Sequence, residues 1–355
     1  ITPHDSLEVP KNQSARINIL FWNGYFNYSL YGMGLYNEGF LARGCEHSNC
    51  FTSSVRSKWK KGNMDAIVFH GIASDLNVTE LEILKGARTS GKIHSLFVLF
   101  ILESPAEKKD FSHPVYKDFF DIVYSYRRDS HVYFPYGKVI PRKDILDHVP
   151  AFPRKNKDIA WFVSHCSTQS KREDYVKKLK VHLKEGMKVD IFGGCGEYKL
   201  PKDVSSDQVS LVEKNRLNLF QHILKDYKFY LAFENSKCKD YITEKFFYSL
   251  SVPGVIPIAF GTNRSDYEAV APPESFIHVT DFSSHKELAE YLSRLSSNEK
   301  EFNSYHEWRR SYELDVPYFR AQCDFCKALN QRKLHGSPKP IHDLNEYWSM
   351  GKCFN

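Results

Sequence analysis

The chain has 355 residues, of which 42% are hydrophobic and 26% are charged, and its formal net charge is +6. This length exceeds the size at which a single hydrophobic core stops growing, so two domains are expected. The modest positive charge favours an anionic ligand, but the chain has no long run of Lys and Arg, so we expect no nucleic-acid partner.

The first half of the chain alternates short apolar runs with segments of helical character. These runs have the length of β-strands and predict strands at residues 16–22, 65–70, 95–102 and 119–126. Strands that alternate with helices form a parallel, Rossmann-like sheet. We therefore predict a first domain over residues 1–150, followed by a linker marked by Pro141, Pro150 and Pro153.

The second half repeats this pattern and predicts a second Rossmann-like domain over residues 151–320. Its apolar runs predict strands at residues 159–164, 189–192, 229–233, 255–260 and 276–279. Helices are predicted at residues 172–183, from a one-sided apolar pattern, and at residues 284–295, from the capping box of Ser284 and Glu287. The fold class is therefore predicted to be α/β, with two Rossmann-like domains that face each other across a central cleft.

A glycine-rich loop, Gly193, Gly194 and Gly196, follows the strand predicted at residues 189–192. The dinucleotide-binding fingerprint is Gly-x-Gly-x-x-Gly, and the third glycine of this pattern is missing here. A nicotinamide enzyme is therefore not expected, and the loop is interpreted as a structural turn.

Residues 229–250 are the most informative segment, because an apolar strand leads directly into a polar turn and then a helix. The apolar positions of that helix recur at i, i+4 and i+8, namely at Ile242, Phe246 and Leu250. Asp240 is predicted to cap the helix, which places Glu244 and Lys245 one turn into it. A strand that feeds a helix in this way presents backbone N–H donors to an anion such as a phosphate.

The chain contains eight cysteines, an even number, among them the close pairs Cys45/Cys50 and Cys323/Cys326. Disulfides and a zinc site both remain open from this pattern, although zinc would need four converging thiolates. Candidate N-glycosylation sequons begin at Asn12, Asn27, Asn77 and Asn263. No stretch approaches the roughly 20 apolar residues of a membrane span.

Several ordered blocks of the sequence resemble glycosyltransferase family 10, the α1,3/4-fucosyltransferases. They are YSYRRDSHVYFPYG at residues 124–137, FENS at 233–236, KDYITEKFF at 239–247 and SDYEAVAPPESFIHVTDF at 265–282. The resemblance covers residues 17–326. It implies the GT-B fold, GDP-fucose as donor, a glycan hydroxyl as acceptor and inversion at the anomeric carbon of fucose.

Inverting transfer needs a base on the acceptor hydroxyl and positive charge beside the departing diphosphate. The resemblance implies that Glu103, which directly follows a predicted strand and precedes Ser104 and Pro105, is the base. It likewise implies that Arg172 and Lys245 are the cations that stabilise the diphosphate. Further implied donor contacts come from polar and aromatic side chains, namely Glu244, Asn235, Tyr241, Ser164, His165 and Tyr126.

Two positions depart from the family pattern. His165 stands where the family has Asn, and Pro253 belongs to a turn that is one residue longer than usual. Tyr126 and Arg127 are expected at the wall of the cleft, and the alternative for this pair is a structural role in a salt bridge at a helix end or loop. No Asp-x-Asp motif occurs, so the sequence predicts no divalent metal and no cofactor besides the GDP-fucose substrate.

The resemblance also bears on cellular context. It favours disulfides over zinc, with a C-terminal tail at residues 321–355 tied back to the first domain through Cys45, Cys50, Cys323 and Cys326. It implies a type II membrane protein of the Golgi lumen, whose N-terminal membrane anchor is absent from this chain. The expected partners are GDP-fucose and an N-glycan or glycoprotein acceptor.

The positions of three other cysteines, Cys166, Cys195 and Cys238, resemble those of invertebrate and plant core α1,3-fucosyltransferases. The predicted acceptor is therefore the core GlcNAc of an N-glycan. The alternatives are fucosylation of antennary Galβ1,4GlcNAc or GalNAcβ1,4GlcNAc, an inactive glycan-binding relative, and a glycan hydrolase, for which no second catalytic carboxylate is evident.

Overall fold

The structure is a computed structural model, and it describes residues 16–24, 30–31, 33–61, 63–71, 76–107, 111–149, 155–199, 209–315, 321–335, 339–349 and 351–354. Asn12, Asn27, Pro150 and Pro153 lie outside the described residues. The described residues form two parallel sheets and a short antiparallel ribbon.

The first sheet has six strands in the order β2-β1-β3-β4-β5-β6, and all its neighbouring strands are parallel. The strands are β1 (Ile17–Phe21), β2 (Cys50–Ser53), β3 (Ala66–His70), β4 (Leu96–Ile101), β5 (Ile122–Ser125) and β6 (Val132–Tyr133). Every residue of β3 is buried, as expected for a central strand that is covered on both faces.

The second sheet has five parallel strands in the order β12-β11-β10-β8-β9, and the ribbon pairs β7 with β13. The strands are β7 (Lys138–Pro141), β8 (Lys157–Phe162), β9 (Val189–Phe192), β10 (Tyr227–Phe233), β11 (Ile256–Phe260), β12 (Ile277–His278) and β13 (Tyr312–Asp315). In sequence, β7 lies between the first sheet and the second. β13 follows the last strand of the second sheet and pairs with β7.

Helices connect the strands of both sheets. The α-helices are α1 (Glu38–Ala42), α2 (Val78–Thr89), α3 (Arg172–His182), α4 (Val209–Leu224), α5 (Glu244–Leu250), α6 (Arg264–Glu268), α7 (His285–Ser297), α8 (Glu299–Ser304), α9 (Ala321–His335) and α10 (Leu344–Trp348). Single 3-10 turns lie at Arg56–Lys61, Pro114–Tyr116, Pro273–Ser275, Val279–Asp281 and Glu307–Arg310. Among the described residues, no helix combines the length and the apolar character that crossing a membrane requires.

The predicted strands are all present, with shifted ends. The strand predicted at residues 119–126 is only Ile122–Ser125, and the strand predicted at 276–279 is only Ile277–His278, because Val279 begins a 3-10 turn. The predictions did not place β2, β6, the β7–β13 ribbon or the α-helices other than α3, α5 and α7. Pro141, predicted to lie in a linker, ends β7, where an edge position tolerates its missing N–H.

The prediction that Asp240 caps α5 is wrong. Thr243 occupies the N-cap position, and Asp240 adopts a left-handed backbone conformation with φ of 59°. The side chain of Asp240 is instead paired with Arg128 at 2.6 Å. The helix therefore begins later than predicted, and Glu244 and Lys245 lie in its first turn rather than one turn inside it.

All eight cysteines are paired in disulfides, namely Cys45–Cys323, Cys50–Cys326, Cys166–Cys195 and Cys238–Cys353. The first two fasten α9 to the amino end of β2 and the loop before it. In the chain-entropy description, closing a loop of 278 residues stabilises the folded state by about 5.6 kcal/mol. The fourth disulfide attaches the end of the chain to the second half.

Candidate active site

The candidate site lies where the carboxyl ends of β4 and β10 approach each other. Glu103 follows β4, and Tyr241 lies in the loop between β10 and α5. The Tyr241 hydroxyl donates a hydrogen bond to Glu103 Oε2 at 3.3 Å. Beside it, Asn235 Nδ2 donates to Glu107 Oε1 at 3.2 Å, while Asn235 Oδ1 has no partner among the described residues. Both hydrogen bonds join the first half of the chain to the second.

Tyr126 lies behind this contact. Its ring meets the ring of Tyr241 edge-on, with 5.0 Å between the centroids, and only 2% of Tyr126 is exposed. Its hydroxyl is buried without a hydrogen-bond partner among the described residues. Burial raises the pKa of both tyrosines well above the usual value, so each stays a neutral hydrogen-bond donor at any physiological pH.

A cluster of charged side chains surrounds the start of α5. Glu234, at the carboxyl end of β10, is fully buried, and its Oε1 accepts hydrogen bonds from the backbone N–H and the hydroxyl of Thr243. Lys245 Nζ lies 3.2 Å from Glu234 Oε2 and 3.1 Å from Glu244 Oε1, and it donates to Thr243 Oγ1 at 2.8 Å. The ammonium group is therefore held by two hydrogen bonds, to Thr243 and Glu244, and by an ion pair with Glu234.

The protonation of this cluster follows from burial and pairing. Burial opposes the charge on Lys245, but attraction by Glu234 and Glu244 outweighs it and raises the pKa of Lys245 to about 12. Burial also raises the pKa of Glu234, against the opposing effect of Lys245 and the hydrogen bonds from Thr243. The charges of Lys245 and Glu234 therefore depend on each other.

Arg172 is the first residue of α3, and only 3% of it is exposed. Its Nη1 donates to the Phe233 carbonyl at 2.6 Å and its Nη2 to the His165 carbonyl at 3.3 Å, so it joins the carboxyl ends of β8 and β10. Burial lowers the pKa of Arg172, although nearby Glu234 opposes the shift. A guanidinium group remains charged under these conditions, since its ordinary pKa is far above neutrality.

Ser164 and His165 are exposed in the loop after β8, at the rim of the site. Ser164 Oγ accepts a hydrogen bond from the Gly194 N–H at 3.2 Å, and the Cys166–Cys195 disulfide fastens the same loop to the glycine-rich turn. Gly193 has φ of +103°, and a Cβ there would lie 2.7 Å from the Val163 carbonyl oxygen. The interpretation of these glycines as a structural turn agrees with this geometry.

The structure thus brings Glu103, Tyr126, Asn235 and Tyr241 together, with Glu244 and Lys245 in the adjoining cluster. Arg172 lies beneath that cluster, and Ser164 and His165 lie further out at the rim. Arg127 is not at the cleft wall. It is buried and forms an ion pair with Asp129 at 2.6 Å, in agreement with the alternative of a structural salt bridge.

Sequence reasoning missed two features of the site. One is Glu234, for which the signal was an acidic residue directly after a fully apolar strand. The other is Arg128, whose guanidinium bridges Asp240 and Asp266 at 2.6 Å each and so ties the two halves together beside the site. Arg128 directly follows Arg127 in the sequence, and no sequence pattern distinguished it as a site residue.

Two further predictions concern sites for ions and glycans. Within the described ranges, no group of three or more His, Cys, Asp or Glu side chains is placed to hold a metal ion. Asn77 and Asn263 are both exposed, and Asn77 Oδ1 accepts a hydrogen bond from the Glu80 N–H at the start of α2. Glycosylation of these sequons stays a prediction.

Comparison with known proteins gives family matches along most of the chain. The model described as "Fucosyltransferase, N-terminal" matches residues 14–137, and the model described as "Glycosyltransferase family 10 (fucosyltransferase) C-term" matches residues 152–348. The two matches leave residues 138–151 between them.

Among curated relatives, "Glycoprotein 3-alpha-L-fucosyltransferase A" of Drosophila melanogaster is 32% identical over 99% of this chain and 64% of its own length. "Alpha-(1,3)-fucosyltransferase fut-6" of Caenorhabditis elegans is 30% identical over 92% of this chain and 79% of its own length. The chain therefore spans about two thirds to four fifths of the length of these relatives.

Among solved structures, an alpha1,3-fucosyltransferase crystallised with GDP-fucose has a TM-score of 0.52 at 14% identity, over 91% of this chain and 94% of that one. This likeness bears on the fold alone, and with the two parallel sheets it confirms the predicted α/β class and GT-B arrangement. Since the two family models together match well over half of the residues, the chain belongs to glycosyltransferase family 10, the fucosyltransferases.

Proposed function

We propose that this chain is an inverting α1,3-fucosyltransferase, which moves fucose from GDP-fucose to the 3-hydroxyl of a GlcNAc in an N-glycan. Family membership and the names of the relatives support the activity, and the solved neighbour with GDP-fucose supports the donor. The observation that carries the proposal is the placement of Glu103. It extends from the first half of the chain to within hydrogen-bond distance of the segment that leads into α5.

The proposed reaction is a single displacement. Glu103 accepts the proton of the acceptor hydroxyl while that oxygen attacks the anomeric carbon of fucose. The bond between this carbon and the β-phosphate oxygen breaks, and GDP leaves with the electron pair from the opposite face. Attack and departure on opposite faces invert the anomeric centre.

Lys245 and Arg172 are the proposed cations for the diphosphate. Lys245 is held within the protein by Thr243, Glu244 and Glu234, so in this proposal it exchanges one of these partners for a phosphate oxygen when the donor binds. Glu244 is the partner suited to this exchange, because its side chain is 37% exposed whereas that of Glu234 is fully buried. In this proposal Glu244, Asn235 and Tyr241 then bind hydroxyl groups of the sugar, while Ser164, His165 and Tyr126 complete the donor pocket.

The proposed acceptor is the core GlcNAc, and antennary Galβ1,4GlcNAc is the second candidate. The cysteine-bearing blocks support the first, and the relative named as a glycoprotein 3-alpha-L-fucosyltransferase agrees with it. The second is supported by a gorilla relative named as a 4-galactosyl-N-acetylglucosaminide 3-alpha-L-fucosyltransferase, which is 36% identical over 65% of this chain.

The acceptor is tested by incubating the protein and GDP-fucose with a GlcNAc-terminated N-glycopeptide or with free Galβ1,4GlcNAc. We expect mass spectrometry to find fucose on the innermost GlcNAc of the glycopeptide. Transfer to the free disaccharide alone would assign the antennary activity. Binding of both glycans without any transfer would instead identify an inactive glycan-binding relative.

Activity is expected to persist in excess EDTA. The proposed site places Lys245 and Arg172, rather than a divalent ion, beside the leaving group. The measurement is the initial rate of fucose transfer with and without EDTA, with added Mn²⁺ as the second arm. A rate that disappears with EDTA and returns only with Mn²⁺ would contradict metal-independent transfer.

We further propose that the protein acts in the Golgi lumen, in the type II arrangement. Pairing of all eight cysteines supports an oxidising compartment.

A further inference from the structure

The C-terminal segment, defined here as residues 344–349 and 351–354, contacts both halves of the molecule next to the site. In the first half, Arg127 Nη1 donates to the carbonyl oxygens of Tyr347 at 2.8 Å and Trp348 at 3.4 Å. Asp129 holds the same guanidinium through two hydrogen bonds of 2.8 and 2.6 Å. The buried Arg127 thus secures the last carbonyls of α10, which have no partner within the helix.

A second attachment fixes the segment to the loop that leads into α5. The Cys238–Cys353 disulfide is flanked by two backbone hydrogen bonds, from Lys239 N–H to the Lys352 carbonyl and from Phe354 N–H to the Lys237 carbonyl, each 2.7 Å long. The Tyr241 N–H in turn donates to the Cys238 carbonyl at 3.1 Å. The backbone of Tyr241 is therefore connected directly to the residue that carries the disulfide.

Between the two attachments, contacts between aromatic rings connect the C-terminal segment to Glu103, the proposed base. Trp348 is fully buried and meets Tyr126 edge-on, with 5.8 Å between the centroids. Tyr126 meets Tyr241 in the same manner, and the Tyr241 hydroxyl reaches Glu103. At 3.3 Å this hydrogen bond is longer than usual for O–H···O, as such contacts at catalytic groups often are before substrate binds.

We propose that the C-terminal segment, through Trp348 and Tyr126, positions Tyr241 so that its hydroxyl orients Glu103 and keeps the carboxylate ionised. This inference rests on the proposed role of Glu103 as the base. A hydrogen bond to a carboxylate favours its charged form, and a base must be both charged and correctly directed to accept the acceptor proton. A carboxylate has about four acceptor positions, and the bond from Tyr241 occupies one of them.

The hydroxyl is tested with Tyr241→Phe, which removes one oxygen and retains the ring that packs against Tyr126. We expect kcat/KM for the acceptor to fall about 3- to 10-fold and the acidic limb of its pH profile to move upward by about 0.5 to 1 pH unit, since Glu103 loses a donor. The shift is assigned to this loss because the other charged groups near the pair are unchanged in the variant, namely Glu234, Glu244, Asp240, Asp129, Arg127 and Arg172.

Tyr267→Phe is the matched control, because the Tyr267 hydroxyl is also buried but has no hydrogen-bond partner among the described residues. It should leave the pH profile in place. An unmoved acidic limb in Tyr241→Phe, with only the KM for GDP-fucose raised, would show that Tyr241 acts at the donor alone and has no role at Glu103, and would overturn the proposal. Because Glu103→Gln tests the base separately, loss of activity there together with an unmoved limb here would leave the proposed function intact.

The segment itself is tested with two further variants. Cys238→Ser/Cys353→Ser, checked for an unchanged circular dichroism spectrum, should move the acidic limb in the same direction as Tyr241→Phe. Trp348→Phe keeps an aromatic ring against Tyr126, whereas Trp348→Ala removes it. The fall in kcat/KM should therefore be smaller in Trp348→Phe than in Trp348→Ala. If the disulfide variant and the Trp348 variants fold and keep the pH profile of the parent protein, the proposed role of the C-terminal segment is overturned.

Discussion

Replacing Glu103 with Gln is expected to reduce fucose transfer by about a hundredfold or more while GDP affinity stays unchanged. The amide has nearly the shape of the carboxylate, and its carbonyl oxygen can still accept the hydrogen bond from Tyr241. It cannot accept a proton from the acceptor hydroxyl. The measurements are the rate of transfer from GDP-fucose and the dissociation constant of GDP by calorimetry.

A matched control for this substitution is Glu82→Gln, since Glu82 is exposed on α2. It should transfer fucose at the parent rate. Turnover of Glu103→Gln near the parent value would remove Glu103 from the mechanism, whereas loss of GDP binding would show that the substitution disturbs the donor pocket instead.

Replacing Lys245 with Ala is expected to weaken GDP binding and to lower the free energy of unfolding by about 3 to 5 kcal/mol at neutral pH. The structural part of this effect comes from Glu234, which is fully buried and loses its cationic partner at 3.2 Å. Arg172→Ala should also weaken GDP binding, because it removes the other proposed cation. Calorimetry with GDP and chemical denaturation measure the two quantities.

The pH dependence of the free energy of unfolding separates the loss of stability in Lys245→Ala from its loss of GDP binding. In the parent protein the pKa of Lys245 is raised to about 12, so its stabilising contribution is complete below its unfolded pKa and is lost only as the pH rises through about 12. In Lys245→Ala, the pKa of Glu234 should rise further, so the folded state binds a proton more readily than the unfolded state. The stability of the variant should therefore improve as the pH falls through the raised pKa of Glu234 towards the pKa of that carboxyl in the unfolded state.

A double variant completes the test of the cluster. Glu234→Gln/Lys245→Met removes both charges and should recover most of the lost stability without restoring GDP affinity. Lys177→Ala serves as a surface control, because that lysine side chain is 75% exposed. Unchanged GDP binding in Lys245→Ala and Arg172→Ala would exclude the proposed donor site, whatever their stability.

Much of the fold followed from sequence because parallel strands covered on both faces appear as continuous apolar runs. Segments such as residues 65–70 and 229–233 have this character and correspond to β3 and β10. The short edge strand β2 lacked the signal, since its sequence Cys-Phe-Thr-Ser is apolar only in its first half. The pairing of β7 with β13 depends on contacts between residues far apart in the chain, which local patterns do not encode.

The composition of the site was more accessible to sequence than its geometry. Family motifs indicated Glu103, Tyr241 and Lys245, and the structure places them in one region. The partners of Lys245 did not follow, because Glu234 and Lys245 belong to different elements and meet only when β10 and α5 pack together. Likewise, the local signal for a cap at Asp240 was overridden by its ion pair with Arg128 from the other half.

The disulfides between β2 and α9 also determine the order in which the protein can be completed during synthesis. Cys50 and Cys326 are separated by 276 residues, so at about 5 to 20 residues per second the ribosome needs roughly 15 to 55 seconds to supply the second cysteine. During that interval Cys45 and Cys50 have only each other as near neighbours along the chain. Any bond formed between them must be undone by thiol–disulfide exchange before α9 can dock. Completion of these two disulfides therefore depends on α9, which is synthesised long after the strand that it fastens.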